Sequence, residues 1–371
     1  MRLARLWLTD FRCYESLDLT LPPGCTVITG ANGQGKTSLL EAIDWIATGR
    51  SFRGVADSAL ARAGSDAAIV RVDAMRGSGV VRVEAEIRAS GRNRILVNGQ
   101  PLAKRRDLAD SVRATIFSPD DLELIKGGPA QRRGFIDDLL SQSAPRYEVV
   151  RSDYDRVLRQ RNALLKGGVR DTESRTTLEV FDTQLAQTGA QLIRARLRLT
   201  DRLLPAISQA YADLAREDPA VRARYEVEWS QSTLTDDAKE IEEEILRSLI
   251  VMQSKEIERG VTLVGPHRDD WRIELHGLEA RSTASQGEQR SLALALRLGG
   301  HRVVTEVLGE EPLLLLDDVF SELDPARSEA LVANLPRGQT LLTTASLLPD
   351  GVKADRWLRV ESGRVREVEG G

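Results

Sequence analysis

The sequence predicts an α/β fold: a P-loop head built on a mixed sheet, with a mainly helical lobe inserted into it. Three observations predict this. Residues 30–37 form a glycine-rich loop between an apolar strand-like run, 25–29, and a helix-like run, 38–46. Leu313-Leu314-Leu315-Leu316 is fully apolar, too short for a typical helix, and ends in Asp317-Asp318, as a strand buried on both faces does. Between these points the apolar spacing is helical from about 129 to 215 and again from 235 to 257. Two halves of one site are therefore distant in the chain and must meet in space. The predicted organisation is a head segment at 1–118, an inserted helical lobe at 119–260 and a second head segment at 261–371.

Composition sets the bounds. At 371 residues the chain can bury a sizeable core. No apolar run approaches the length of a membrane helix. Met1-Arg2-Leu3-Ala4-Arg5-Leu6 lacks the apolar region of a signal peptide. Cys13 and Cys25 have no metal-like spacing and read as reduced thiols of a cytoplasmic protein. The formal net charge of -4 requires any basic surface to be local. With aromatic residues at 4%, recognition by stacked bases is disfavoured.

The elements follow in order. Residues 67–74, 80–88 and 94–97 alternate or cluster β-branched residues and read as strands. Asn98-Gly99 is a hairpin-turn signal. Phe135, Leu139 and Leu140 share a helical face, as do Val157, Leu158, Leu164 and Leu165. Residues 177–214 carry apolar positions at three- and four-residue steps, broken at Pro205. Residues 261–264 and 271–275 read as strands again. There are no sustained heptads with flanking charges, so no long coiled coil is expected.

Gly30-Ala31-Asn32-Gly33-Gln34-Gly35-Lys36-Thr37 fits the loop that holds the phosphates of a nucleoside triphosphate. The glycines let the backbone curl so that N–H groups face phosphate oxygens, and the N-terminus of the following helix, from Ser38, adds partial positive charge. Lys36 is expected at the β/γ-phosphates of ATP, and the Thr37 hydroxyl on Mg²⁺. The bland alternative is a glycine-rich turn that binds nothing. Asp317-Asp318 argues against it, because adjacent carboxylates at the end of a buried strand are costly without a cation. Asp317 is expected to hold the metal, and Asp318 to orient the attacking water.

Ser285-Gln286-Gly287-Glu288-Gln289 precedes a run of strong helix formers. Ser285 and Glu288 have the spacing of a capping box, so a well-capped helix is the plain reading. Yet Ser285, Gly287 and Gln289, then Asp317-Asp318, then Ser321-Glu322-Leu323-Asp324, resemble in order the signature motif, Walker B strand and D-loop of ABC ATPases. That resemblance implies a homodimer with two ATPs sandwiched between subunits, each signature facing the partner's nucleotide.

The chain also resembles the RecF family, the short relatives of SMC-type ATPases that lack a coiled coil. The resemblance rests on Leu8-Thr9-Asp10-Phe11-Arg12-Cys13-Tyr14, Gly49-Arg50-Ser51-Phe52-Arg53, Phe117-Ser118-Pro119-Asp120-Asp121-Leu122, Gly128-Pro129 with Arg132-Arg133, and Gly265-Pro266-His267-Arg268-Asp269-Asp270. It implies an ATP-dependent DNA-binding protein of recombinational repair that dimerises on ATP and hydrolyses it slowly. It further implies action with RecR and RecO in loading RecA at single-stranded gaps. Cys13 departs from the usual Asn. Asp318 stands where many ABC ATPases have Glu, a choice RecF shares. Thr343-Thr344 stand where a switch histidine would fall, and no Q-loop glutamine follows Phe117, where 118–120 takes its place.

Arg12 follows a strand and is a candidate for the adenine or phosphates, against a plain surface arginine. His267 and Arg268 are candidates to sense the γ-phosphate or line the dimer face, against a turn bonded to backbone. Lys104-Arg105-Arg106 and Arg132-Arg133 are the basic clusters best suited to DNA phosphates, against ordinary solvated charge. Two functional classes remain: a DNA-binding repair ATPase, or an ABC-type module energising a protein or membrane partner.

Overall fold

Strand β1 (Arg2–Phe11) buries Leu3, Leu6, Leu8 and Phe11. This is a period of two with two resets, one between Leu3 and Leu6 and one between Leu8 and Phe11, where Asp10 has φ 49. The pairing of β1 with β4 (Ala67–Arg76) shifts register between Leu3 and Arg5, a bulge that brings Leu3 and Leu6 to one face. The computed structural model describes every residue except 78, 217–220, 233, 346, 347, 350, 370 and 371, and backbone alone at 105, 106, 109 and 322.

Two compact units are present. The first comprises Met1–Leu122, Gln209–Pro219 and Ser285–Gly371; the second comprises Glu123–Ser208 and Ala220–Ala284. The second unit thus runs past residue 260 to 284, and 209–219 returns to the first.

The first unit holds two sheets. One is antiparallel, in the order β2 (Tyr14–Thr20), β1, β4, β5 (Gly79–Arg88), β6 (Arg94–Val97), β7 (Gln100–Pro101). The expected turn at Asn98-Gly99 joins β6 to β7, with φ of 50 and 78. The other sheet runs β15 (Arg364–Glu367), β14 (Arg356–Glu361), β3 (Cys25–Thr29), β13 (Thr340–Thr344), β12 (Leu313–Asp317), β8 (Ala114–Phe117). Its strands are parallel except β15. Helix α1 (Lys36–Thr48) packs against both sheets. Leu39, Leu40, Ile43, Trp45 and Ile46 of α1 are buried with β1, β4, β8, β12 and β13 residues in one core. Each such side chain contributes roughly 1.5–3 kcal/mol. The signature helix, α8 (Gln286–Leu308), and α9 (Pro325–Ala333) complete the unit.

The second unit is mainly helical: α2 (Glu123–Lys126), α3 (Pro129–Ser143), α4 (Pro145–Gly167), most of α5 (Thr172–Ala215), α6 (Ala238–Arg259) and α7 (Ala280–Thr283). It carries a small antiparallel sheet, β11 (Leu278–Glu279), β10 (Asp270–Leu275), β9 (Val221–Glu226). Phe135 stacks on Trp271 at 5.8 Å between ring centroids.

Two expectations fail here for clear reasons. Helix α5 is not broken at Pro205. An interior proline costs about 3 kcal/mol, and the buried Leu199, Leu203, Ile207 and Tyr211 on either side offset it. Residues 261–264 form no strand. Side chains take their backbone donors instead: Asn162 Oδ1 accepts the Thr262 N–H at 2.7 Å, and Glu256 Oε1 the Leu263 N–H at 2.6 Å.

Candidate active site

The P-loop leaves β3 at Thr29 and enters α1 at Lys36. Gly30, Gly33 and Gly35 have φ of 149, 78 and 116, angles an L side chain rarely adopts. A Cβ on Gly35 would also meet Cys13 Sγ at 2.6 Å. The glycine spacing is therefore a steric requirement. Lys36 folds back over the loop, its Nζ donating to the carbonyls of Gly30 at 2.6 Å and Ala31 at 3.0 Å. Burial lowers the Lys36 pKa, while Asp318 and Asp317 pull it up.

Parallel pairing of β12 with β13 and of β13 with β3 brings Asp317 to the P-loop. Thr37 Oγ1 donates to Asp317 Oδ1 at 2.9 Å, and Thr343 Oγ1 of β13 donates to the same oxygen at 2.6 Å. Burial pushes the Asp317 carboxyl up despite these donors. Asp318 turns off the strand with φ 49 and ψ 33, a left-handed conformation that costs roughly 1–2 kcal/mol. Its N–H donates to the Thr343 carbonyl at 3.1 Å and Thr343 Oγ1 at 3.0 Å, and its Oδ1 accepts from the Ala345 N–H at 3.3 Å.

These groups share a cavity of about 580 Å³, within the usual range for small-molecule sites. Asn32, Gly33, Gly35, Lys36, Thr37, Ser38, Asp317 and Asp318 line it, together with Arg12, Cys13, Arg53, Ala59, Ala61 and Ala63. Of the loop residues expected to touch nucleotide, Gly30 and Ala31, whose carbonyls accept from Lys36, do not line it, and Gln34 is turned away. Its Oε1 accepts the Ser362 N–H at 2.6 Å. Arg12 also lines the cavity, and its Nε and Nη2 donate to Glu41 at 2.8 and 2.7 Å and its Nη1 to the Ala59 carbonyl at 2.9 Å. Glu41 is fully buried and also accepts from the Ser51 hydroxyl.

Ser285 caps α8: its Oγ accepts the Glu288 N–H at 3.3 Å, and Glu288 Oε2 accepts the Ser285 N–H at 2.7 Å. Ser285 is exposed, Gly287 half-buried and Gln289 buried, and none lines the cavity. In the D-loop, Asp324 caps α9 through the Arg327 N–H at 2.9 Å. The 118–120 segment is not at the cavity either. Ser118 N–H donates to Asp121 Oδ2 at 2.9 Å, and Asp121 Oδ1 accepts from Arg297 Nη2 of α8 at 2.5 Å.

The structure gives three further candidates other partners. Arg132 is buried and forked onto Asp270 at 2.8 Å through Nε and Nη2, with Nη1 on the Gly127 carbonyl at 2.8 Å. Three of its donors are thus taken within the second unit. Arg133 is half-buried and donates to the Asp269 carbonyl at 2.6 Å. His267 and Arg268 do not line the cavity. The Thr262 carbonyl can only accept, so His267 Nε2, at 3.1 Å, carries the proton, and Nδ1 accepts from the Tyr154 hydroxyl at 2.6 Å. Burial lowers His267 to about 4. Next to it, Tyr225 and Trp229 donate to Asp269, and burial still raises that carboxyl to about 6. The motif is thus the polar hub of the second unit. Lys104 is exposed; the side chains of Arg105 and Arg106 lie outside the described residues.

Sequence reasoning missed Glu41 and the roles of Thr343 and Arg53. A hydroxyl in a strand and an acid in a helix carry no local signal, whereas Arg53 was quoted only as part of a motif.

Residues 2–344 match the family model described as RecF/RecN/SMC N terminal domain. The chain is 44% identical over 361 residues to a DNA replication and repair protein RecF of Frankia alni, covering 94% of each. It is 38% identical to the RecF of an Arthrobacter species over 100% of both chains. A solved structure of the recombination mediator protein RecF with ATP in the RecFOR pathway superposes with TM-score 0.91 at 31% identity, over 99% of this chain and 97% of that one. With its P-loop, its Asp317-Asp318 strand end and these relatives taken together, the chain belongs to the RecF family of DNA replication and repair proteins and has that family's ATPase fold.

Proposed function

We propose that this chain is an ATP-driven switch on DNA. It binds ATP with Mg²⁺ at the P-loop cavity, closes into a homodimer around two nucleotides, holds gapped or double-stranded DNA in that state, and hydrolyses ATP slowly to let go. Through RecR and RecO it serves the loading of RecA in the cytoplasm. The observation that carries the reading is the meeting of Lys36, Thr37, Asp317 and Asp318 on one cavity. No helix among the described residues is long and apolar enough to cross a membrane.

The residues fit Mg²⁺. Thr37 Oγ1 and Asp317 Oδ1 are hard oxygen donors 2.9 Å apart, and burial raises the Asp317 carboxyl, a cost that a bound cation would offset. A site of one hydroxyl and one carboxylate leaves positions for water and phosphate, as this ion prefers. When bound, it offsets the charge on the phosphates. Lys36 exchanges its Gly30 and Ala31 carbonyls for phosphate oxygens. Asp318, held by Thr343 and Ala345, accepts a hydrogen bond from the attacking water and orients it. Ser285 and the N-terminus of α8 close on the nucleotide held by the other protomer.

Binding of the full chain to gapped, duplex and single-stranded DNA, with and without ATP, tests the reading. Lys36→Met should abolish the ATP effect in all three and leave the fold intact. Asp318→Asn should keep ATP-dependent binding and dimerisation while hydrolysis stops. The affinity should fall linearly with salt on logarithmic axes, because backbone contacts release counterions. DNA binding indifferent to ATP, or normal turnover in Asp318→Asn, would overturn it.

A further inference from the structure

Gln34 sits between cavity-lining neighbours yet faces the other way. Its Oε1 accepts the Ser362 N–H at 2.6 Å, and its carbonyl accepts the Gly363 N–H at 3.2 Å. Ser362 and Gly363 are the central residues of the turn between β14 and β15, where Glu361 pairs with Arg364. Their φ values are 47 and 73, so this is a tight two-residue hairpin with little freedom. The hairpin is itself fixed to the strand that feeds the P-loop. β14 pairs in parallel with β3, Thr29 Oγ1 donates to the Leu358 carbonyl at 3.1 Å, and any side chain at Gly30 would run into the Val360 carbonyl.

A second hairpin tip meets the same spot. A Cβ on Gly363 would lie 2.5 Å from the Cys13 carbonyl. Cys13 Sγ is 3.8 Å from the Gln34 carbonyl, and the Tyr14 hydroxyl donates to the Gly35 carbonyl at 2.9 Å. The back of the P-loop is therefore gripped between two turns. The geometry has a direct consequence for the front. The Gln34 carbonyl and the Gly35 N–H belong to one planar trans peptide and point in opposite directions. Tying the carbonyl to Gly363 turns the Gly35 N–H toward the cavity.

We propose that the β14–β15 hairpin is a positioning element of the P-loop, acting through Gln34. It aims the phosphate cradle before nucleotide arrives, so its contribution is to affinity rather than to the bond-breaking step. The hairpin lies beyond residue 344, where the match to the family model ends. The inference rests on the P-loop cavity being the ATP site.

The test uses the full chain and three variants. Gln34→Ala removes the side-chain tie. Gly363→Ala drives a methyl group against Cys13. Ser362→Gly keeps the N–H donor and relieves the left-handed serine. Gln34→Ala and Gly363→Ala should each raise the KM for ATP and the Kd for ADP about tenfold, the equivalent of one hydrogen bond. kcat at saturating ATP should stay within about twofold, and Ser362→Gly should match the parent. A loss of folded protein would do the reverse, lowering kcat with KM unchanged. Without nucleotide, P-loop amides 32–36 should exchange hydrogen faster in Gln34→Ala, with β12 amides exchanging as in the parent. This readout does not depend on ATP. Binding by the parent in the same titration reads the ATP assignment; the ratio of variant to parent reads the hairpin. Parent-like affinities and parent-like P-loop exchange in Gln34→Ala would overturn the inference. If Gly363→Ala loses β12 protection, Gln34→Ala alone decides.

Discussion

Thr343 Oγ1 donates a hydrogen bond to Asp317 Oδ1 at 2.6 Å. Thr343 Oγ1 in turn accepts the Asp318 N–H at 3.0 Å. One hydroxyl on β13 thus holds the expected metal ligand and the expected water-orienting residue in a single arrangement, from a position in sequence where a switch histidine was sought. Thr343→Val keeps the shape and removes both bonds. ATP turnover should fall about 10–100-fold, the usual penalty for losing a group that orients a metal ligand. Stability should drop by only about 1 kcal/mol. Turnover measured against Mg²⁺ concentration, alongside urea unfolding, checks this.

The shared site can be tested by mixing. If each ATP lies between Lys36 of one protomer and Ser285 of the other, a Lys36→Met homodimer and a Ser285→Arg homodimer each have two dead sites. Their heterodimer collects both lesions in one site and leaves the other intact. Mixing should restore part of the ATPase activity, with ATP-driven dimerisation followed by light scattering. Parent-like dimerisation and hydrolysis by Ser285→Arg alone would return the motif to a plain capped helix.

Arg132→Ala should damage folding and not DNA recognition. It strands Asp270, whose partner is a buried, forked guanidinium. Removing one member of such a pair costs about 3–5 kcal/mol. Thermal unfolding should show the loss, and protein that remains folded should bind DNA like the parent. A stable variant with weak DNA binding would restore Arg132 to the contact surface.

The polar hub of the second unit makes a prediction about pH with two opposing parts. His267 titrates near 4 when folded and near 6.5 when unfolded. Between those values only the unfolded chain takes the proton, so this residue makes stability rise with pH. Asp269 titrates near 6 when folded and near 3.8 when unfolded. In that window only the folded chain keeps the proton, so stability falls as pH rises. Relative to the parent, His267→Gln should tilt the stability curve downward with rising pH between 4 and 6, and Asp269→Asn should tilt it upward. Each tilt should amount to at most about 3 kcal/mol, at about 1.4 kcal/mol for each tenfold step in proton affinity. Urea midpoints at pH 4.5 and 6.5 measure both.

The parts of the fold and site that were legible in the sequence are those whose chemistry is local. Gly30, Gly33 and Gly35 are required by backbone angles, and Leu313 to Leu316 by burial on both faces, so each announces itself. The rest depends on partners far away in the chain. Glu41 reads as a helix-surface acid until Arg12 reaches it. Arg132 reads as a solvated cation until Asp270 covers it. Residues 261–264 have strand composition, but side chains of Asn162 and Glu256 take the hydrogen bonds a neighbouring strand would have supplied.

The order of strands in the second sheet has a consequence in time. β3 carries the P-loop, yet it lies between β13 and β14, and its pairing partners begin at Thr340 and Arg356. The loop is therefore synthesised more than three hundred residues before the strands that flank it, and the sheet that holds it closes in a long-range step of the kind that folds slowly.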